Sequence, residues 1–340
     1  MIISLNDSLL HLKAGRLVAL PSETVYGLAG NALLDSTLDL IYKLKGRPST
    51  NPLIVHTTGL DQARNLAHFN NLATQLAEVF WPGPLTLILP KRDCIPERIS
   101  AGLPTVALRS PAHPLFRKVL GQLDFPLAAP SANRSNHISP TRPEHIMESF
   151  GENCPKILDG GPCQIGLEST VLSLVDPQNI KIFREGPISA EQIRAVLGTN
   201  VQKVTSEIGE KKGRMLAATE PQLSPGTSSI HYAPQTPLLL HASVDILCAN
   251  AEKTGKDTIV LVHRDQDKQL WNEKNIPVIS LSTDGDPAEI AQNLYACLHL
   301  ADKAGKSSIQ IASLPDEHHL AGAVNDRLFR AARKDTIFSI

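Results

Sequence analysis

In the run KLKGRP, Lys45 and Arg47 flank a single glycine at the end of a helical stretch. The glycine lets the chain approach a ligand closely. A point-charge ammonium beside a forked guanidinium suits a polyphosphate. The same pair also fits a solvated basic helix end favoured by the helix dipole. A second run, LAAPSANRS, is an apolar strand that ends in Ser131 and Asn133. Small polar side chains at a strand's end are where open α/β sheets hold ligands, though an ordinary Asn/Ser turn looks alike. A third, PSETVYGL, sets Ser22, Glu23, Thr24 and Tyr26 together after the first strand. Hydroxyls beside a carboxylate suit an amino-acid ligand with an ammonium and a hydroxyl, and a satisfied Ser/Thr turn has the same residues. Arg109 after TVALR, His56 after LIVH, Ser169 in GLEST and Arg184 in REG each close or open a strand, which suggests a shared rim.

The elements that must position these residues are legible from periodicity. Leu5, Leu9, Leu10 and Leu12 mark a short amphipathic helix stopped by Gly15, and a strand follows at Leu17–Leu20. Asp35 is placed to cap a helix reaching about Lys45. Asn71–Phe80 reads as a helix ended by WPGP, while LTLILP, TVALR and PLAAP read as buried strands. Thr170–Val175 and Ile180–Phe183 bracket Asp176-Pro177 as a hairpin, and Ser189 opens a helix to about Leu197. In ISPTRPEHI a further helix starts, with Ser139 or Thr141 as its cap. The irregular order of strands and helices predicts an open, mixed-sheet α/β domain over 1–198. From 199 to 236 the pattern turns polar, as a linker or functional lid. Over 237–340 strands alternate with helices, predicting a smaller three-layer α/β domain with a mainly parallel sheet.

The 340 residues carry 33 Lys plus Arg against 34 Asp plus Glu. A net charge of -1 gives no global field toward nucleic acid or an anionic membrane, so any anion site is a local cluster. Cys94, Cys154, Cys163, Cys248 and Cys297 are odd in number and form no C-x-x-C. That points away from a disulfide framework or thiolate zinc site and toward a reducing compartment. No signal peptide or membrane-length apolar run is present, which predicts a cytoplasmic protein. The nearest approach to a Walker A loop, Gly305-Lys306-Ser307, has Leu300 where the first glycine belongs. There is no GxGxxG, HExxH or G-x-S-x-G, and no metal ligands are assigned.

Taken in order, PSETVYGL, KLKGRPSTNPLIVH, FWPGPLTLIL, VALRSP, APSANRS-x-x-ISPT, ESTV and REG closely resemble the YrdC-type threonylcarbamoyl-AMP synthase family. SPGTSSIHYAP resembles the interdomain segment of its long form, and NDRLFRAA the C-terminal signature. The resemblance implies an open twisted mixed-sheet YrdC-like domain followed by a smaller Rossmann-like α/β domain. It implies condensation of L-threonine, bicarbonate or carbon dioxide, and ATP into threonylcarbamoyl-AMP with release of pyrophosphate. Mg²⁺ would arrive with the ATP phosphates. A tRNA threonylcarbamoyl-transferase complex would then use the product.

By the family's motifs, Lys45, Arg47, Ser131 and Asn133 are the catalytic set. The nucleotide would be bound by Lys45, Arg47, Asn51, Thr105, Asn133, Thr141, Arg184 and Tyr232. Threonine would be bound by Ser22, His56, Arg109, Ser131 and Ser169. Ser22 departs from the threonine common in the family, keeping the hydroxyl but losing the methyl. SSIHYAP replaces a more basic run, and a lid over Ser224–Pro234 would exclude water from a carbamate intermediate. The competing reading is a double-stranded-RNA or nucleotide-binding module. The low aromatic content, 4%, gives that reading no stacking platform.

Overall fold

The computed structural model of the chain describes residues 1–198, 203–206, 232–250, 255–315, 319–332 and 337–338. Its contacts separate two units. The first begins with β1 (Ile2–Ile3), α1 (Leu5–Lys13), β2 (Val18–Leu20), β3 (Gly27–Asn31), α2 (Asp35–Lys45) and β4 (Ile54–His56). It continues through α3 (Leu60–Arg64), α4 (Asn71–Phe80), β5 (Leu85–Pro90), α5 (Glu97–Ser100), β6 (Thr105–Arg109), α6 (Pro114–Leu120) and β7 (Leu127–Ala128). It closes with α7 (Pro143–Phe150), β8 (Lys156–Leu158), β9 (Thr170–Ser173), β10 (Asn179–Arg184), α8 (Ala190–Leu197) and β11 (Lys203–Ser206).

Local chemistry sets the helix ends. Ser4 caps α1 by accepting the Asp7 amide at 3.1 Å, and Asn70 caps α4 by accepting that of Ala73 at 2.8 Å. Ser189 and Gln192 form a reciprocal capping box on α8. Asp35 is not a cap: Leu34 holds that position without a side-chain bond, and Asp35 lies inside the first turn. Neither Ser139 nor Thr141 caps α7, which starts from Arg142 with Pro143 as its first residue. At the other end of α2, Gly46 takes a left-handed φ of 61°. The Arg47 amide then bonds the Tyr42 carbonyl at 3.0 Å and the Gly46 amide that of Lys43 at 3.2 Å. This glycine-closed cap turns the chain between Lys45 and Arg47.

Eleven strands among the described residues form one mixed sheet in the order β1-β8-β2-β3-β7-β4-β6-β5-β9-β10-β11. Strand β4 runs parallel to β6 and antiparallel to β7. Helix α2 covers its neighbour β3 through Leu38 and Ile41, both fully buried with Leu28 of that strand. Each such side chain contributes about 1.5–3 kcal/mol. Gly30 permits the close approach, because a Cβ there would strike Thr37 and Leu17. One sheet edge gathers polar groups. His56 and Arg109 end β4 and β6 as register partners. β5 is antiparallel to β6 and starts beside them, its Leu85 level with Thr170 of β9, and Arg184 closes β10 opposite Val171.

The second unit holds β12 (Leu238–His241), α9 (Val244–Ala249), β13 (Thr258–Arg264), α10 (Lys268–Glu273) and β14 (Val278–Ser282). Then come α11 (Pro287–Lys303), β15 (Ser308–Ala312), α12 (His319–Ala331) and β16 (Ile337–Phe338). Its five strands run in the order β14-β13-β15-β12-β16, and each pairing is parallel. Interior strand β13 buries Ile259 through Val262, as a strand covered on both faces must.

Two details amend the expected segmentation. Asn136–Ser139 and Ile165–Leu167 cluster with the second unit, so the first is not the uninterrupted stretch 1–198. The Ala233 amide donates to the Asn136 carbonyl at 2.9 Å, and His299 Nε2 donates to that of Ser139 at 3.3 Å. Moreover, a Cβ on Gly166 would strike the Gln292 backbone. Within the expected linker 199–236, Lys203–Ser206 forms β11 and pairs in parallel with Asn179–Ile182. Residues 224–231 of the expected lid lie outside the described residues.

Candidate active site

The K-x-R and S-x-N motifs, more than 80 positions apart in sequence, meet through one side chain. Lys45 Nζ donates to the carbonyls of Ser131 and Asn133, each at 2.6 Å, and lies 3.5 Å from Asn133 Oδ1. The Ser135 amide returns a bond to the Lys45 carbonyl at 2.9 Å. Burial first, then the Arg47 charge, lowers the Lys45 pKa well below its ordinary value. Its two carbonyl acceptors and an arriving anion both favour the charged form. Arg47 Nε donates to the Asn51 carbonyl at 3.2 Å, and Nη2 to Asn51 Oδ1 and, at 2.8 Å, to the Pro52 carbonyl. Thr105 stands two residues before Ala107, the register partner of Ile54. It is therefore level with Pro52, on the Arg47 side. At about 3.3 Å per residue it lies some 13 Å along β6 from Arg109.

The PSETVYG turn joins this cluster to the sheet edge. Its Tyr26 carbonyl accepts the Ala132 amide at 2.8 Å, and Gly27 pairs with Ser131. At the turn's other end, Glu23 Oε1 accepts Arg109 Nη2 at 2.6 Å, and Oε2 accepts the Ala112 amide at 3.1 Å. Arg109 Nε donates to the Gly83 carbonyl at 3.2 Å. Burial would raise the Glu23 carboxyl, but the Arg109 charge and hydrogen bond hold it below its ordinary value. Ser22 is engaged within its own turn, donating to the Val25 carbonyl at 2.5 Å and accepting the Thr24 and Val25 amides. That is the satisfied-turn alternative, so the Ser22 hydroxyl is already used.

His56 stacks on Phe116 with ring centroids 5.2 Å apart. Burial, then the Arg109 charge, lowers its pKa to about 3. His56 therefore serves as a neutral hydrogen-bonding group and not as a proton carrier at pH 7. Farther along the edge, Arg184 donates from Nε to the Ser169 carbonyl and from Nη2 to its hydroxyl, each at 3.0 Å. Ser169 Oγ and Thr86 Oγ1 are 2.7 Å apart. Thr86 was missed by sequence reasoning. Its signal was a lone hydroxyl inside the apolar run LTLILP.

Among the described residues, His56 Nδ1 and Thr141 Oγ1 are buried with no protein partner. Native chains rarely leave such groups unpaired unless a ligand or water completes them. Thr141 donates its amide to His145 Nδ1 at 3.2 Å, and its carbonyl accepts the Cys163 amide at 2.9 Å. Tyr232 belongs to the second unit, where it stacks on Tyr295 at 5.6 Å with Arg327 over its ring. No group of three His, Cys, Asp or Glu side chains suited to a metal gathers among the described residues. Burial pushes the Cys163 thiol up to about 12, too high for a nucleophile at neutral pH.

This electrostatics fixes the acid sensitivity of the fold. An imidazole kept neutral in the folded chain stays unprotonated while the unfolded chain takes up a proton near pH 6.5. Stability is therefore lost as pH falls from about 6.5 toward 3, and protonation of Glu23 adds to the loss below 4.5. Urea unfolding should show a loss of roughly 3 kcal/mol between pH 7 and 4 from His56 alone. A His56→Leu variant should flatten that segment, and an equally steep profile in the variant would refute the assignment.

An open mixed sheet with cations and hydroxyls along its edge and loops suits an enzyme that positions anionic reactants. The Sua5/YciO/YrdC family model, described as telomere recombination, matches residues 11–186. The model for the C-terminal domain of threonylcarbamoyl-AMP synthase matches residues 188–333. The chain belongs to the threonylcarbamoyl-AMP synthase family. The Bacillus subtilis threonylcarbamoyl-AMP synthase is 44% identical over 94% of this chain and 90% of its own length. That of Pyrococcus abyssi is 36% identical over 94% and 92%. The crystal structure of Pyrococcus abyssi Sua5 complexed with L-threonine superposes with a TM-score of 0.86 at 33% identity, covering 100% of this chain and 99% of that one.

Proposed function

We infer that this chain synthesises L-threonylcarbamoyl-AMP, a step toward threonylcarbamoyladenosine in tRNA, with threonine as its amino-acid substrate. Family membership over nearly the whole chain supports the reaction, and a relative solved with L-threonine supports the substrate. The observation that carries the mechanism is Lys45, whose ammonium clasps the Ser131 and Asn133 carbonyls beside the Arg47–Asn51 pair.

ATP, bicarbonate or carbon dioxide, and the transferase complex that takes the product complete the reading. The threonine amine forms a bond to the carbon of carbon dioxide and gives up a proton, leaving a carbamate. A carbamate oxygen then bonds the α-phosphorus as the bond to pyrophosphate breaks. Carbamate and triphosphate are both anionic, so the barrier falls only where fixed positive charge faces them. Lys45 and Arg47 supply it on the nucleotide side, with Asn51, Thr105, Asn133 and the unpaired Thr141 hydroxyl as polar contacts. Arg109 and Arg184 supply it at the sheet edge, with His56 and Ser169 beside them. Mg²⁺ enters as part of the MgATP substrate, shielding phosphate oxygens. Positioning carries the rate, and no covalent enzyme intermediate is needed.

No helix among the described residues is long and apolar enough to cross a membrane, and we place the enzyme in the cytoplasm, where tRNA is modified. The test is pyrophosphate release from purified protein and MgATP. It should require both threonine and bicarbonate, and release that is indifferent to threonine would refute the reading.

A further inference from the structure

The buried Glu23–Arg109 pair has a feature that simple anion binding does not need. A guanidinium meant only to attract a carboxylate would bind it more strongly without a carboxylate of its own at 2.6 Å. Yet the side chains of both partners are almost wholly buried, 6% and 5% exposed, in a place where an unneeded charge is costly. The pair is also incompletely used. Arg109 commits Nε to Gly83 and Nη2 to Glu23, and Nη1 has no partner among the described residues. Glu23 accepts one bond on each oxygen, from Arg109 and from the Ala112 amide. The Glu23 backbone amide also lies against the carboxylate, and with about two acceptor sites per oxygen at least one remains. Beside them, His56 is neutral and offers an unpaired Nδ1. What is left over is a donor fork next to a carboxylate acceptor, the complement of an amino-acid zwitterion.

We propose that Glu23 is a specificity-determining residue of the amino-acid seat: paired with Arg109 it makes a charge-balanced couple that accepts the carboxylate and ammonium of threonine together and rejects hydroxy acids that carry the carboxylate alone. The proposal rests on the reading of Arg109 as a threonine ligand. A zwitterion brings no net charge to the couple. A hydroxy acid brings one negative charge and leaves Glu23 facing it without an ammonium between them. Glu23 is also held ionised by its surroundings, so it is a charge partner for the ammonium and does not take the amine proton.

The experiment uses 3-hydroxybutyrate, which is threonine without its amine, as a competitor of threonine-dependent adenylate formation by the full chain. Wild-type protein should show an inhibition constant at least about tenfold above the threonine KM. In Glu23→Gln, which keeps the shape and one acceptor, Arg109 becomes unbalanced. The threonine KM should rise about tenfold or more while 3-hydroxybutyrate inhibits about tenfold more tightly, with the ATP KM retained. A merely structural role for Glu23 would weaken both ligands together. Parallel shifts in the variant, or wild-type protein binding the two equally, would overturn the proposal, and the wild-type comparison stands even if the variant folds poorly. Absence of threonine-dependent adenylate in wild-type protein would instead refute the underlying reading of the site.

Discussion

Replacing Lys45 by alanine will raise the ATP dissociation constant more than any other single change in the first unit. Two effects add. The ammonium proposed to face the phosphates is gone, and the Ser131 and Asn133 carbonyls lose the donor that holds them. A lost charge-assisted contact costs roughly 1.5–3 kcal/mol, which is about a 10- to 150-fold rise in Kd. Lys45→Met loses both but keeps the buried stem, which sets them apart from lost packing. It should lose as much ATP affinity with less loss of thermal stability. Arg47→Ala should follow with a similar ATP defect, since Asn51 also loses its partner. Calorimetric titration with MgATP reads both. Full ATP affinity in Lys45→Met and Arg47→Ala would remove the motif from the nucleotide site.

The second large effect is on stability. Arg109→Ala leaves the Glu23 carboxylate buried without its cation, and breaking a buried pair in this way costs about 3–5 kcal/mol. For the first unit, within the range of 150–250 residues, the melting temperature should fall by roughly 6–20 °C. The double variant Glu23→Gln with Arg109→Met should recover part of the loss, because no unpaired charge remains. A single variant melting within a degree of wild type would show that water reaches the pair and that the seat is not enclosed. Activity and stability thus separate the two halves of the site, with Lys45 weighing mainly on binding and Arg109 on both.

The sequence carried the local features well. Asn71–Phe80 was readable to the residue because its cap Asn70 and its stop at Trp81 are both local signals. The hairpin around Asp176-Pro177 was equally plain. Strand β3 was not, since GLAGN has two glycines and no β-branched residue. Its reason for existing is the approach of α2 over Gly30, a contact with distant residues. The same divide runs through the site. K-x-R, S-x-N and the strand-end residues could be picked out one by one. That Lys45 bonds the backbone of the S-x-N loop, and that Glu23 is claimed by Arg109, depends on partners more than 80 positions away. Ser139 and Thr141 looked like helix caps because the Pro143 start signal lies only a few residues on, and the backbone chose Arg142. The union of Asn136–Ser139 with the second unit likewise needed tertiary contacts to be seen.

In the proposed reaction one constellation joins threonine, inorganic carbon and ATP. Its most direct test is the fate of labelled bicarbonate incubated with purified protein, MgATP and L-threonine, followed by chromatography and mass. The expected product is an adenylate that carries the label, appears only with threonine, and is lost in Lys45→Met. Folded protein that binds ATP but never places the label on an adenylate would contradict it, and would return the chain to the nucleotide- or RNA-binding reading.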